Sequence, residues 1–155
     1  MPSVGMVGRN GQEMANAFLN MCQGAANCYH ITETKPRISK PDILVISEAS
    51  PVLSDIIPGI TMDNYLVVNA DDKQIFPYLS SKQAKLITYG FNNKACITAS
   101  SVTDNGLQVC IQRAFMTIDG DMLDPQEFAI PNICITIPAE AALGAAAAWA
   151  ICGKM

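Results

Sequence analysis

Three short stretches, DILVIS (42–47), YLVVNA (65–70) and KLITY (Lys85–Tyr89), are apolar almost without interruption. A strand with one wet face alternates apolar and polar residues. The first two do not alternate, so each must be covered on both faces, as in a parallel sheet whose crossovers carry helices, and KLITY reads as another buried strand. Residues 3–7 read as a further short buried strand. Residues 12–21 read as a helix with Met14, Ala15, Phe18, Leu19 and Cys22 on one face, ended by Gly24. Asp72 is placed to cap a short helix through Ile75, Tyr78 and Leu79 before the Lys85–Tyr89 strand. The first half is therefore α/β.

From Cys96 the pattern changes. CITASSV, the turn Asp104-Asn105-Gly106 and LQVCIQRAF form a hairpin signal, because both central residues of a tight I′ turn need positive φ. A second turn falls near Asp119-Gly120. The 130–137 stretch, broken by Pro131, leads to Pro138 and an alanine-rich helix through Cys152, with Pro138 suited to its first turn. That helix is apolar nearly all round, so it is either sandwiched in the core or partly an interface, and burial against the sheet is the expectation. The predicted fold is a P-loop-like (Rossmann-like), largely parallel α/β sheet flanked by helices, with an antiparallel hairpin portion in the C-terminal half. One domain is expected over residues 1–155.

The chain's 155 residues suffice to bury roughly two thirds of the unfolded surface, so no metal or disulfide is needed to hold a core. A net charge of −4 with scattered Lys and Arg gives no basic field for nucleic acid. No apolar run is long enough to span a bilayer and no leader pattern opens the chain, so a cytoplasmic protein is expected. The six cysteines never form a CxxC pair and lie mostly in apolar runs, as buried reduced thiols do. His30, the single histidine, has no second candidate base for nucleophilic catalysis and reads as structural.

Residues 7–18, VGRNGQEMANAF, have the frame of a phosphate-binding loop: a strand, a Gly8/Gly11 turn and a helix start. After the second glycine the motif demands Lys, to neutralise phosphate, and then Ser/Thr, to hold Mg²⁺. Gln12 and Glu13 stand there instead.

The order VGRNGQEMANAF, ISEAS, TMDNY, VVNADD, LITYGFNNKACITASSV and an alanine-rich closing helix resembles the ATP-binding central domain of the Mur ligase superfamily. Its most specific parts are Asn69-Ala70-Asp71-Asp72 after a buried strand, and Ile87 to Phe91 followed by Ala95 to Ser100. The resemblance implies a ligase fold and ATP chemistry, with four departures. The phosphate loop reads GRNGQE where the family has GTNGKT or GTNGKS. Glu48 matches the Mg²⁺-supporting glutamate, yet it equally suits a solvated or turn-capping carboxylate. Tyr65 of TMDNY runs straight into LVVNADD, without the family's carbamoylated lysine and its helix. Pro138, Ala139, Glu140 and Ala141 replace the asparagines that contact adenine. No flanking substrate or ligase domain is expected.

Acyl transfer needs a bound γ-phosphate, metal charge and a positioned amine. The leading expectation is thus a noncatalytic Mur ligase-like domain, with no cofactor, no catalytic residue and an interaction or regulatory role near cell-wall or amino-acid ligase metabolism. Its partner would be another protein or a second copy, as in a homodimer. The rival is a small-molecule, phosphate or nucleotide-binding protein using Gly8, Arg9, Asn10, Gly11, Gln12, Asn69 and Asp71, with Arg9 supplying positive charge and Glu48 the candidate metal ligand. A third class, unrelated catalysis, would draw on Asp119, Asp121 and Asp124, whose spacing lacks the glycine and glutamate of a calcium loop and reads as a turn.

Overall fold

A computed structural model describes residues 1–32, 40–80, 82–103, 106–131 and 137–153. Among them, eight strands form one sheet: β1 (Ser3–Val7), β2 (Asn27–His30), β3 (Ile43–Ile46), β4 (Tyr65–Asn69), β5 (Lys85–Tyr89), β6 (Ile97–Thr103), β7 (Gly106–Ile111) and β10 (Gln126–Pro131). Their spatial order is β10-β7-β6-β5-β4-β3-β1-β2. β1 to β6 pair in parallel, and β7 runs antiparallel between β6 and β10. β8 (Phe115–Met116) and β9 (Met122–Leu123) form a separate hairpin. The largely parallel sheet with an antiparallel C-terminal part is as predicted. The turn residues Asp104 and Asn105 lie outside the described residues, but β6 and β7 pair down to Thr103 and Gly106 on either side of them.

β3 and β4 are buried on both faces. β5, expected as another buried strand, is only partly so: Ile87 and Tyr89 are buried, while Lys85 and Leu86 are exposed. Ile43, Val45, Val67 and Tyr89 face α1 (Gly11–Cys22) and α3 (Ala139–Ile151). Leu44, Ile46, Leu66 and Val68 pack with Leu53 of α2 (Leu53–Ile56), with Ile57 of a 3₁₀ turn and with Ile75 of the 3₁₀ helix Lys73–Leu79. Asp72 caps that last helix by accepting from the Gln74 N–H, as predicted.

Boundaries shift where backbone geometry intervenes. α1 ends at Cys22 because Gln23 takes the left-handed conformation, one residue before Gly24. Leu19, predicted for the buried face, is partly exposed. β2 carries no apolar run, and sequence reasoning missed it: at the sheet's edge it is only half-buried, with Cys28 packing partly on one core cluster and Tyr29 on the other. Pro138 sits just outside α3, at its N-cap. Of the cysteines, Cys22, Cys96 and Cys152 are buried and Cys28 and Cys110 half-buried; Cys134 lies outside the described residues.

α3 is the central helix. It packs on α1 and reaches β3 to β7, and ten of its thirteen residues are buried. The predicted choice between core and interface falls to the core. Its small side chains set the distance: a Cβ at Gly144 would lie 2.9 Å from the Met14 sulfur and 3.0 Å from the Tyr89 ring. Ala146 is fully buried in that layer. Ala146→Leu should therefore destabilise the protein by about 1–3 kcal/mol or more through overpacking, read as a lower urea midpoint at unchanged slope.

Candidate functional site

The chain leaves β1 at Val7 and turns through Gly8, Arg9 and Asn10 into α1. Asn10 takes the left-handed conformation that asparagine tolerates best among non-glycine residues. The Gly11 N–H donates to the Gly8 carbonyl at 3.1 Å, and Met14 N–H donates to the Asn10 carbonyl at 2.8 Å. No side chain caps α1. Gly11 has a reason unrelated to phosphate: a Cβ there would lie 2.3 Å from Cδ2 of His30 at the end of β2. The lone histidine thus packs against the helix start.

The ends of β1, β3, β4 and β5 are tied together by hydrogen bonds. The Ser47 hydroxyl donates to the Arg9 carbonyl at 2.7 Å, with the Val7 carbonyl also within reach at 3.2 Å. Asn69 donates through Nδ2 to the Ser47 carbonyl and accepts the Asp71 N–H through Oδ1. The Asp71 carboxylate accepts the N–H groups of Phe91 (2.7 Å) and Asn92 (3.2 Å) and the Asn92 side-chain amide (3.2 Å). Asp72 accepts from Ala49 N–H and Gln74 N–H, both at 3.0 Å. Both acids of the NADD segment are therefore engaged by backbone donors.

Of the sequence-predicted site residues, Arg9, Asn10, Glu48, Asn69 and Asp71 line one cavity of about 230 Å³. Gly8, Gly11 and Gln12 do not; Gly8 borders a neighbouring hollow that also touches Arg9, His30 and Glu48. Gln12 is exposed and donates along the helix to Asn16 Oδ1 at 3.1 Å, and Glu13 is exposed beside it. Arg9, predicted as a free positive charge for a ligand, instead donates from Nε to Glu48 Oε2 at 3.0 Å. With the two side chains 69% and 41% exposed, that pair contributes about 0–1 kcal/mol.

Sequence reasoning did not assign Ser47, Asp72, Tyr89 and Glu140 to this cavity. Three of them follow or end buried strands, where open α/β sheets place their ligand crevices, and that rule would have found them. Glu140 arrives from α3, far away in sequence. Burial, and then the carboxylates of Glu140 and Asp71, push the Tyr89 phenol above its ordinary range. Elsewhere, burial and then Cys22 push the Cys28 thiol up to about 12, so it stays protonated at neutral pH. Among the described residues no group of three or more His, Cys, Asp or Glu is arranged to hold a metal, and no helix is long and apolar enough to cross a membrane.

Among solved structures, this chain is similar to a UDP-N-acetylmuramoyl-L-alanyl-D-glutamate--2,6-diaminopimelate ligase, with a TM-score of 0.67 and 11% sequence identity. The match covers 99% of this chain and 43% of that one, so the chain spans less than half of the ligase's length. At this identity the likeness is one of fold: the protein has a Mur ligase-like α/β fold. No protein-family model and no curated protein matches the sequence.

The contact between Gly11 and His30 gives a direct test. Gly11→Ala should destabilise the fold by about 1–3 kcal/mol through overpacking. In the His30→Ala background the same change should cost far less, and a double-mutant cycle in urea reads the coupling. Additive costs would show that Gly11 is needed for a reason other than the ring.

Proposed function

We propose that this chain is a noncatalytic Mur ligase-like domain acting as an interaction or regulatory module, with another protein or a second copy of itself as partner. The observation that carries this reading is the phosphate loop itself. Gln12, at the position of the phosphate lysine, is turned onto Asn16, and Glu13, at the position of the Mg²⁺ hydroxyl, adds a carboxylate to the helix start. Arg9, the one cation in the loop, donates to Glu48, so its charge is balanced by a neighbouring carboxylate. A triphosphate needs concentrated positive charge at this point. A place near cell-wall or amino-acid ligase metabolism rests on the likeness of fold alone.

The second reading, ligand binding at the same end of the sheet, draws on the cavity. Its chemistry is taken up below.

Calorimetric titration with Mg-ATP is expected to give no heat, and the Gln12→Lys/Glu13→Thr double variant is expected to remain without amino-acid-dependent ATP turnover. Micromolar binding with phosphate release by the wild type, or turnover by the double variant, would end the noncatalytic reading. Light scattering after size exclusion separates the partner alternatives: a stable dimer favours self-association, and a monomer favours an outside partner.

A further inference from the structure

The cavity at the carboxyl ends of β1, β3, β4 and β5 has a charge balance unlike that of a phosphate site. Four carboxylates, those of Glu48, Asp71, Asp72 and Glu140, share its wall with one guanidinium, that of Arg9. The N-termini of α1 and α3 reach the same wall through Asn10 and Glu140, and each helix start carries about half a positive charge. Even with both counted beside Arg9, the carboxylates exceed the positive groups by about two charges. The hydrogen bonds to Asp71 and Asp72 come from neutral amides, which orient the oxygens without supplying a counter-charge. Glu140 forms no ion pair among the described residues.

Tyr89 gives an independent pointer. It lines the same cavity, and its hydroxyl is fully buried with no hydrogen-bond partner among the described residues. A buried hydroxyl in that state is unfavourable, and a ligand donor at its oxygen removes part of the deficit. With its proton retained, the oxygen accepts.

We propose that this cavity binds the primary ammonium group of a small aliphatic amine, held by the carboxylates of Glu48, Asp71 and Glu140 with the Tyr89 hydroxyl oxygen as a further acceptor. An ammonium brings three donors and a compact positive charge, which suits acceptors spread over several strand ends and a helix start. A volume of about 230 Å³ suits an alkyl amine of a few carbons and falls below the range of drug-sized ligands. A hard metal ion is disfavoured, because no three of these acids are arranged to hold one and a neutral phenol is a poor ligand. This proposal stands apart from the noncatalytic reading, since amine binding requires no bound nucleotide.

The test titrates the isotope-labelled full chain with 1,4-diaminobutane at low ionic strength, followed by amide NMR and calorimetry. Saturable shifts are expected at Asn10, Ser47, Glu140 and Ala141. Affinity should fall at least tenfold in Glu140→Gln and several-fold in Tyr89→Phe. Glu127→Gln removes the same charge from an exposed position on β10 and should leave affinity unchanged. Glu140 is exposed and the Tyr89 hydroxyl has no partner, so both site variants should fold. Absence of saturable binding, equal weakening by Glu127→Gln, unaltered affinity in Glu140→Gln, or the same shifts produced by MgCl₂ or Mg-ATP would overturn the proposal.

Discussion

The close approach of α3 to the sheet is the constraint on which the covered face depends. An alanine-rich helix has no long side chains to hold its neighbours away, so α1 and the parallel strands close onto it. At Gly144 Met14 from α1 and Tyr89 from β5 come so near that they leave no room for a Cβ. That approach has two consequences. It fills the core at the density that interiors need without large side chains in this layer. It also brings the first turn of α3, with Glu140, over the end of β5, so that one helix sets both the packing of the core and one wall of the cavity.

At the strand ends the order comes from hydrogen bonds. Ser47 ties β3 to the loop after β1, Asn69 ties β4 to β3, and Asp71 ties β4 to the turn after β5. Each bond joins a side chain to backbone just beyond the end of a different strand, so the carboxyl edge of the sheet behaves as one laced surface. The topological switch between β1 and β3 lies there: the chain moves outward to β2 through α1 and then back past β1 to β3. In folds of this kind a crevice opens where connections diverge to opposite faces. Here α1 covers one face and α2 the other.

Much of this architecture was legible in the sequence because strands covered on both faces are written as uninterrupted apolar runs. DILVIS and YLVVNA became parallel strands of that kind, KLITY became a parallel strand with Lys85 and Leu86 exposed, and Asp72 became the cap it was read as. β2 was not legible, since Asn27 to His30 is a polar edge whose place depends on pairing with β1 and on His30 fitting over Gly11. The site was legible only in outline. Asn69 and Asp71 follow a strand, and so could be placed near the phosphate loop. That Asp71 would serve backbone donors of the 91–92 turn, and that Arg9 would meet Glu48, are tertiary facts without a local signal. Glu140 illustrates the same limit, because its only local meaning is a favourable charge in a first helical turn.

The loop's frame and the loop's charge are held by different interactions, which explains how one stands without the other. The frame rests on backbone bonds, on the Ser47 hydroxyl and on the packing of Gly11 against His30. None of these involves the side chains of residues 12 and 13, which point into solvent. The Arg9–Glu48 pair is too exposed to contribute much to stability. Charges at this helix start can therefore change sign with little effect on the fold, whereas the electrostatic field over the cavity changes with every one of them. A phosphate-loop shape under a net negative wall follows directly from that separation.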